Sequence, residues 1–233
     1  MDLWKILILG VVAVGLLLIL WTPPELPKLP QGRRVEEGTF RVLTESGAQE
    51  EIFGIYPVDV GFRLVGIRHE KGKILVEGDL LYGPDWTPIA GTITQRYPAE
   101  VRWLFAFAQD SVTIKKQVEA KEFAETIPLL GGTFPFDRDL LSVWDPLFRA
   151  GIAGEAQILD VRNGAIHKVD IGQKAEVKLN VLGRALPAER YSVTVDDEVL
   201  QIFRQGDLLL GVKSPKLEAF LLEILPEGIQ ETP

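Results

Sequence analysis

Two histidines, two acidic clusters and one aromatic strand are the residues of this chain whose types could support chemistry. His69 stands beside Glu70, and His167 stands beside Lys168 with Asp170 three positions further on. An imidazole near a carboxylate can activate a serine nucleophile, but the Gly-x-Ser-x-Gly turn that exposes such a serine is absent. The zinc-protease helix motif is absent as well. We therefore predict that the protein is not an enzyme and that both histidines are solvated.

Two groups of carboxylates carry the oxygen ligands that a divalent cation prefers, Asp137 with Asp139 and Asp196-Asp197-Glu198. Neither group has the spacing of a calcium-binding loop. Helix capping explains the first group, and a turn explains the second. Because the chain contains no cysteine, a thiolate metal site is excluded. We predict that the protein binds neither a metal ion nor a cofactor.

The most aromatic stretch of the chain is Trp103-Leu104-Phe105-Ala106-Phe107-Ala108. In a strand, alternation places Trp103, Phe105 and Phe107 on one face. That face could be an apolar wall for an acyl chain, since ligand cavities are lined in this way. The alternative, which we favour, is a central strand buried on both sides. If the wall binds a ligand, the residues expected to contact it are Trp103, Phe105, Phe107, Trp144 and Phe148.

Short extended segments alternate with turns from Gly38 onward. The strongest hairpin signal is the alternation of apolar and charged residues in GFRLVGIRHEKGKILVEGDL, and Asn163-Gly164 is the best two-residue turn. The final segment also fits a helix, but the preceding LLLGVKSP resembles the first arm of a hairpin and favours a strand. Strands are predicted at Thr39–Thr44, Glu50–Tyr56, Phe62–Arg68, Lys73–Leu81, Ile89–Tyr97, Val101–Ala108, Val112–Glu119, Gly154–Arg162, Ala165–Ile171, Ala175–Leu182, Arg190–Asp196, Leu200–Arg204, Leu208–Lys213 and Leu217–Leu225.

One segment, Asp137–Ala150, has helical rather than strand periodicity. Its aspartates suit an N-cap, and its large apolar residues share one helical face. Pro146 would kink this helix or begin a second turn. Many short strands with one amphipathic helix predict a mainly β fold, a curved antiparallel sheet or incomplete β-barrel with the helix packed over its mouth or face.

An uninterrupted apolar run, Ile6–Trp21, follows Lys5 near the N-terminus. With the uncharged Thr22-Pro23-Pro24 and snorkelling of Lys5, it reaches the roughly 17 to 20 residues that a transmembrane helix needs. A cleaved signal peptide is the alternative, but cleavage after Ala13-Val14-Gly15 would leave LLLILW at the new N-terminus. A buried core helix is disfavoured, because the run is apolar all round. We predict an uncleaved signal anchor that holds the protein in a membrane.

The chain therefore divides into a transmembrane signal anchor (1–21), a Pro-rich spacer (22–34), a β-rich envelope domain (35–226) and a disordered tail (227–233). The prolines of TPPELPKLPQGRR favour an extended polyproline spacer. A five-residue N-terminal tail is typical of an anchor whose N-terminus stays in the cytoplasm, whereas Lys28, Arg33 and Arg34 favour the opposite orientation. We predict a single-pass protein with a cytoplasmic N-terminus and a periplasmic or extracellular β domain.

The composition disfavours nucleic acid as a partner and indicates a thermophilic source. The formal net charge of −8 disfavours nucleic-acid binding, which needs a basic surface. An exported domain without cysteine must rely on its own core instead of disulfides. One methionine, few asparagines and fifteen prolines are typical of a thermophilic source.

The layout of these elements resembles uncharacterised bacterial envelope domains, some of which are described as glycolipid-binding. The resemblance covers about residues 36–225 and implies a curved antiparallel sheet with a binding role. It rests on Gly38-Thr39-Phe40-Arg41-Val42, Gly61-Phe62, the helix at Asp137–Ala150, Arg190-Tyr191-x-Val193 and Leu208–Pro215.

These observations predict a membrane-anchored, non-enzymatic envelope protein whose β domain binds a lipid, a glycolipid or an envelope partner. One alternative is a scaffold or assembly subunit that docks another membrane or envelope protein. A further alternative is a hydrolase with an unrecognised site, which would gather His69 or His167 with a serine and a carboxylate.

Overall fold

The structure is a computed structural model, and it describes residues 28–181 and 184–225. In this part of the chain, sixteen strands form one sheet, and a turn of 3₁₀ helix (Ser142–Trp144) leads into the short helix α1 (Asp145–Arg149). The strands are β1 (Glu36–Thr44), β2 (Gly47–Val58), β3 (Gly61–Glu70), β4 (Lys73–Tyr82), β5 (Pro88–Gln95), β6 (Val101–Phe107), β7 (Ser111–Val118), β8 (Lys121–Pro128), β9 (Thr133–Phe136), β10 (Gly154–Asp160), β11 (Ala165–Ile171), β12 (Ala175–Val181), β13 (Arg184–Val195), β14 (Glu198–Gln205), β15 (Leu208–Lys213) and β16 (Leu217–Leu225).

The strand order consists of two antiparallel meanders that meet at the pair of β1 and β16. Strands β1 to β8 follow one another across one half of the sheet. The other half runs from β16 through β15, β14, β13 and β11 to β10. β9 ends that half and pairs with β10 in parallel. β12 pairs with the first part of the long strand β13, and β11 pairs with its last residues.

The sheet curls until strands of its two halves share one core. Phe40 of β1, Ile93 of β5 and Ile202 of β14 are buried in the same cluster. The indole N–H of Trp103 in β6 donates to the backbone carbonyl of Arg162, which follows β10, over 3.2 Å. The predicted mainly β, curved antiparallel sheet is therefore confirmed. The parallel pair of β9 and β10 departs from it, since hairpin signals report only antiparallel neighbours.

The segment Asp137–Ala150, called the plug below, occupies the concave side of this sheet. The predicted helix over the whole segment is wrong, because helical structure begins only at Ser142 and ends at Arg149. Pro146 lies in the first turn of α1, where its missing N–H is tolerated. The prediction had placed it further along a longer helix, at a kink or at the start of a second turn. Upstream of it, the backbone N–H groups of Leu141 and Ser142 donate to the carboxylate of Glu51 instead of forming helical bonds.

Two strands, β8 and β9, lie where no strand was predicted. The residues of β8, KEFAETIP, show almost no apolar alternation, and nearly all of them are exposed. β9 has only four residues, three of which are buried. Period-two hydrophobicity therefore missed the two strands that end the sheet, whereas the strand predicted at Leu217–Leu225 is confirmed.

The N-terminal residues of the described chain lie on the outer face of the sheet. Leu29 packs with Tyr56, Val65 and Ile67, and the hydroxyl of Tyr56 donates to the carbonyl of Pro30 over 2.9 Å. These contacts involve part of the predicted spacer. The predicted anchor at residues 1–21 and the predicted tail at residues 227–233 lie outside the described residues. Within the described ranges, no helix is long and apolar enough to cross a bilayer.

Candidate functional site

Three buried ionic contacts hold the plug inside the curled sheet. The first joins Leu141 and Ser142 of the plug to β2 and β3. Glu51 is fully buried, and its carboxylate accepts the N–H groups of Leu141 at 2.7 Å and Ser142 at 2.8 Å. Arg68 donates to the same carboxylate over 3.3 Å. Gly66 allows this close approach, because a Cβ there would lie 2.6 Å from the Ser142 hydroxyl oxygen.

The second contact joins Asp137 to Arg162. The guanidinium donates to both carboxylate oxygens, through Nε at 2.5 Å and Nη2 at 2.8 Å. Asp137 also accepts the N–H of Asp139 over 2.8 Å, so this carboxylate closes a turn. The predicted helix cap is wrong, because the helical residues begin only at Ser142. Burial raises the pKa of Asp137, while the charge and hydrogen bonds of Arg162 oppose that rise. The pair fixes the point at which the chain leaves β9 and enters the interior.

The third contact is a cluster of two carboxylates and two guanidinium groups around α1. Arg149 bonds both to Asp145 and to Glu36 of β1, and Arg204 of β14 donates to Asp145 over 3.2 Å. Burial raises the pKa of Glu36 from 4.5 to about 7, and repulsion from Asp145 adds to this rise. Burial also raises the pKa of the nearby Tyr82, again with a contribution from Asp145. These ion pairs thus connect helix α1 to β1 in one half of the sheet and to β14 in the other half.

The curled sheet has two ends with different chemistry. Gln95, at the end of β5, lines a polar groove of about 650 Å³ that also receives Asp139 from the plug. Pro88, at the start of β5, lines a groove of about 420 Å³ that receives Ala150 from the other end of the plug. Seven residues of extended strand separate these positions by about 23 Å. The plug therefore runs from one groove to the other.

The groove at the Pro88 end, called the apolar groove below, is built mainly from hydrophobic side chains. Leu130 is the most exposed of them, with 72% of its surface accessible. A second groove of about 620 Å³ shares Leu130, Gly131, Gly132 and Ile152 with the apolar groove. The apolar side chains of the apolar groove are Pro88, Phe107, Ala108, Leu129, Leu130, Phe134, Ala150 and Ile152.

The five residues expected to contact a ligand do not form one wall. Trp103 and Phe105 are buried in the core, as expected from the alternation along β6. Phe107 lines the apolar groove and makes an edge contact with Phe105. The opposite face of β6 is half-exposed or exposed, so burial on both sides, which we favoured, is wrong.

The two aromatic residues of the plug face other partners. Trp144 packs edge-on against Phe136, with ring centroids 5.2 Å apart. Phe148 packs against Tyr191 of β13, and the Arg204 guanidinium lies over its ring. Both are buried in the core. They therefore help to seat the plug.

The histidines depart in part from the prediction. His69 is not solvated, because it lies in β3 with only 2% of its surface exposed. Its Nε2 lies 3.7 Å from the carboxylate of Glu50, and burial lowers its pKa. His167 is partly exposed, and its Nδ1 lies 2.6 Å from the carboxylate of Asp196. Among the described residues, no group of three or more potential ligands of a metal ion is found.

Sequence reasoning missed the charged residues that position the plug. Glu51 shares the inward parity of Phe53 and Ile55 in β2, and Arg68 shares that of Leu64 in β3. A charged residue at an inward position of an alternating strand is the signal that could have identified them. Leu130 carried no such signal, since it lies in the loop between the two unpredicted strands.

Comparisons with known proteins concern the fold. No protein-family model matches the chain, and no curated protein matches its sequence. A solved structure similar to it is that of a β-barrel-like protein of the domain of unknown function DUF1849 from Brucella abortus. The match covers 85% of this chain and 100% of that one, with 12% identity and a TM-score of 0.49. A β-rich domain of unknown function is also what the sequence resemblance implies, whereas its glycolipid-binding aspect stays a prediction.

Proposed function

We propose that the protein is a membrane-anchored, non-enzymatic envelope protein whose β domain binds the acyl chain of a lipid or glycolipid in the apolar groove. The exposure of Leu130 within an apolar groove is the observation that carries this proposal. Exposed apolar patches on proteins commonly mark binding surfaces, and ligand sites are mostly apolar clefts with a few polar groups. Asp85, Thr87 and Gln109 supply such polar groups in the same lining.

The proposed binding site for the acyl chain lies at one end of the curled sheet and not in its interior. The interior is filled by plug side chains, of which Leu140 and Leu147 are almost completely buried. Ala150 and Ile152, which follow α1, contribute to the apolar groove. The plug thus serves as the floor of the groove, and an acyl chain would lie between this floor and the loop at Leu130.

The test uses the full chain, purified from its source membrane in a neutral detergent. Native mass spectrometry would detect co-purifying lipid, and a fluorescent fatty acid would measure binding. Leu130→Gln should weaken binding of the fatty acid about tenfold, because burial of a leucine contributes about 1.5–3 kcal/mol and 1.4 kcal/mol is a factor of ten. Leu43→Gln is the matched control, since Leu43 is also exposed but lies near the other end of the sheet.

The result that would overturn the proposal is the absence of both co-purifying lipid and fatty-acid binding. Equal weakening by the two substitutions would place the fatty acid elsewhere and would also reject the apolar groove. The anchor and its orientation are tested separately, by protease accessibility of the β domain in intact cells and in inverted membranes.

A second candidate function, a scaffold that docks an envelope protein, is favoured by the edge strand β8. In the described part of the chain, β8 pairs with β7 and ends the sheet. Phe123 projects from it with 58% of its surface exposed. A free edge can accept a strand from a partner. A photo-crosslinker at Phe123 should then trap one protein stoichiometrically in membranes, and a diffuse set of products would contradict this role.

A further inference from the structure

The polar groove lies at the end of the sheet away from the apolar groove, and basic side chains dominate its lining. They come from the end of β3, the turn after it, the start of β4 and the segment after β10. Leu75, Val76 and Tyr97 add an apolar side. The charged residues of the lining are Arg68, Lys71, Lys73, Arg162, Glu70 and Asp139.

One of these basic groups is buried and incompletely bonded. Arg68 has only 3% of its surface exposed, yet it is part of the groove lining. Its Nη2 donates to Glu51, whereas its Nε has no partner in the described part of the chain. A buried donor without an acceptor is costly, and the arginine that carries this donor is part of the groove lining.

The two lysines of the groove differ from its two arginines, because their ammonium groups are not in an ion pair with any of the described residues. Arg68 is balanced by Glu51, and Arg162 is balanced by Asp137 and Asp139. Across residues 28–181 and 184–225, no carboxylate lies within 4.0 Å of the ammonium group of Lys71 or Lys73. Lys73 lies over the ring of Tyr97 instead, with its Nζ 3.2 Å from the ring centroid. Within the described ranges, the groove therefore combines two ammonium groups that form no ion pair with one unused buried donor, although Glu70 and Asp139 also line it.

We propose that the polar groove binds the phosphate group of a small ligand, with Lys71 and Lys73 as its charged contacts and Arg68 as its buried donor. Phosphate oxygens accept several charge-assisted hydrogen bonds at once, and these three basic residues, which carry N–H donors, line this one groove. Leu75 and the ring of Tyr97 would contact the carbon part of the ligand. The phosphate is either the monoester of a free solute or the diester of a phospholipid headgroup.

This proposal does not rest on acyl-chain binding, because the two grooves lie at opposite ends of the sheet. The test is calorimetric titration of the full chain in a neutral detergent at low ionic strength, since salt screens exposed charges. The probes are inorganic phosphate, glycerol phosphate and a short-chain phosphatidylglycerol below its micellar concentration. The Leu130→Gln background serves to remove any contribution of the apolar groove to the third probe.

The variant is the double substitution Lys71→Gln/Lys73→Gln, and the matched control is Lys121→Gln/Lys178→Gln, which removes the same charge from exposed positions of β8 and β12. We expect the groove variant to raise the Kd of the bound probe at least tenfold, and the control to change it less than twofold. Preferential binding of inorganic phosphate and glycerol phosphate identifies a free solute as the source, and preferential binding of the phosphatidylglycerol diester identifies a headgroup.

Three outcomes would overturn the proposal. They are the absence of binding for all three probes at 20 mM, an unchanged Kd in the groove variant, and an equal loss in the control. Fatty-acid binding at the apolar groove should be the same in the groove variant as in the wild type, so failure here is distinguishable from failure of the lipid proposal.

Discussion

We expect Glu36→Gln to abolish a loss of stability that the wild-type protein undergoes as the pH rises from about 4.5 to about 7. Burial raises the pKa of Glu36 from 4.5 to about 7, Asp145 adds to this rise, and Arg149 opposes it. The folded protein therefore keeps the Glu36 proton to a higher pH than the unfolded chain does. The resulting stability is fully present below pH 4.5 and is lost as the pH rises through about 7.

The magnitude follows from the difference between the two pKa values. At about 1.36 kcal/mol for each pH unit, a pKa that moves from 4.5 to about 7 corresponds to about 3 kcal/mol. Little screening is expected, because the Glu36 side chain is only 13% exposed. Glutamine keeps the size and a hydrogen-bonding oxygen but does not ionise. The free energy of unfolding of the wild type, minus that of Glu36→Gln, should therefore fall by about 3 kcal/mol between pH 4.5 and pH 8.

The assay is urea unfolding of the full chain in a neutral detergent, followed by tryptophan fluorescence at several pH values. The difference between the two proteins isolates Glu36, since all other ionisable groups are common to both. Glu218→Gln, which changes a half-exposed glutamate of β16, is the control and should leave the wild-type profile in place. A difference between wild type and Glu36→Gln that stays constant with pH would refute the reasoning, and so would one that grows.

Two further predictions concern the packing of the plug and a buried histidine. Gly78→Ala should destabilise the fold by about 1–3 kcal/mol in urea unfolding, because a Cβ there would lie 2.6 Å from Leu140 Cδ1. The control is Gly131→Ala, which should change stability by less than about 0.5 kcal/mol, since a Cβ at Gly131 would have no atom within 4 Å. His69→Gln should reduce the loss of stability on acidification below about pH 6.5, since burial lowers the pKa of His69 in the folded state and that stability is lost as the pH falls. An alanine at position 78 without cost, or unchanged acid sensitivity without His69, would contradict these two expectations.

The sequence predicted the sheet well where one face of a strand is buried. The predicted hairpin of β3 and β4 is present with its turn at Lys71-Gly72, although β3 extends to Glu70 and the pairing shifts in register between Arg68 and His69. Prediction failed for β8, because an edge strand with exposed faces needs no apolar pattern. It also failed for the first half of β13, where Pro187 interrupts the strand signal although β12 pairs there.

The plug shows why helical periodicity can mislead. Leu140, Leu141, Trp144, Leu147 and Phe148 recur at helical spacing, and all five are buried. A segment enclosed by a curled sheet can bury such residues without being one helix, since partners surround it on several sides. What sequence periodicity cannot supply is the acceptor for the backbone. Glu51 supplies it for two N–H groups, from a position ninety residues earlier in the chain.

The charged contacts of the plug have a different role from its apolar contacts. Replacing a buried ion pair by apolar residues is often neutral for stability, so ionic contacts are weak evidence for the source of stability. The side chains of Leu140 and Leu147 could be buried with the plug at several positions along the sheet, because hydrophobic contacts have no preferred direction. Hydrogen-bonded pairs do have direction, and here they lie near both ends of the plug, at Arg162 and at Arg149. We infer that these pairs set the register of the plug, and thereby the shapes of the polar and apolar grooves to which its ends contribute.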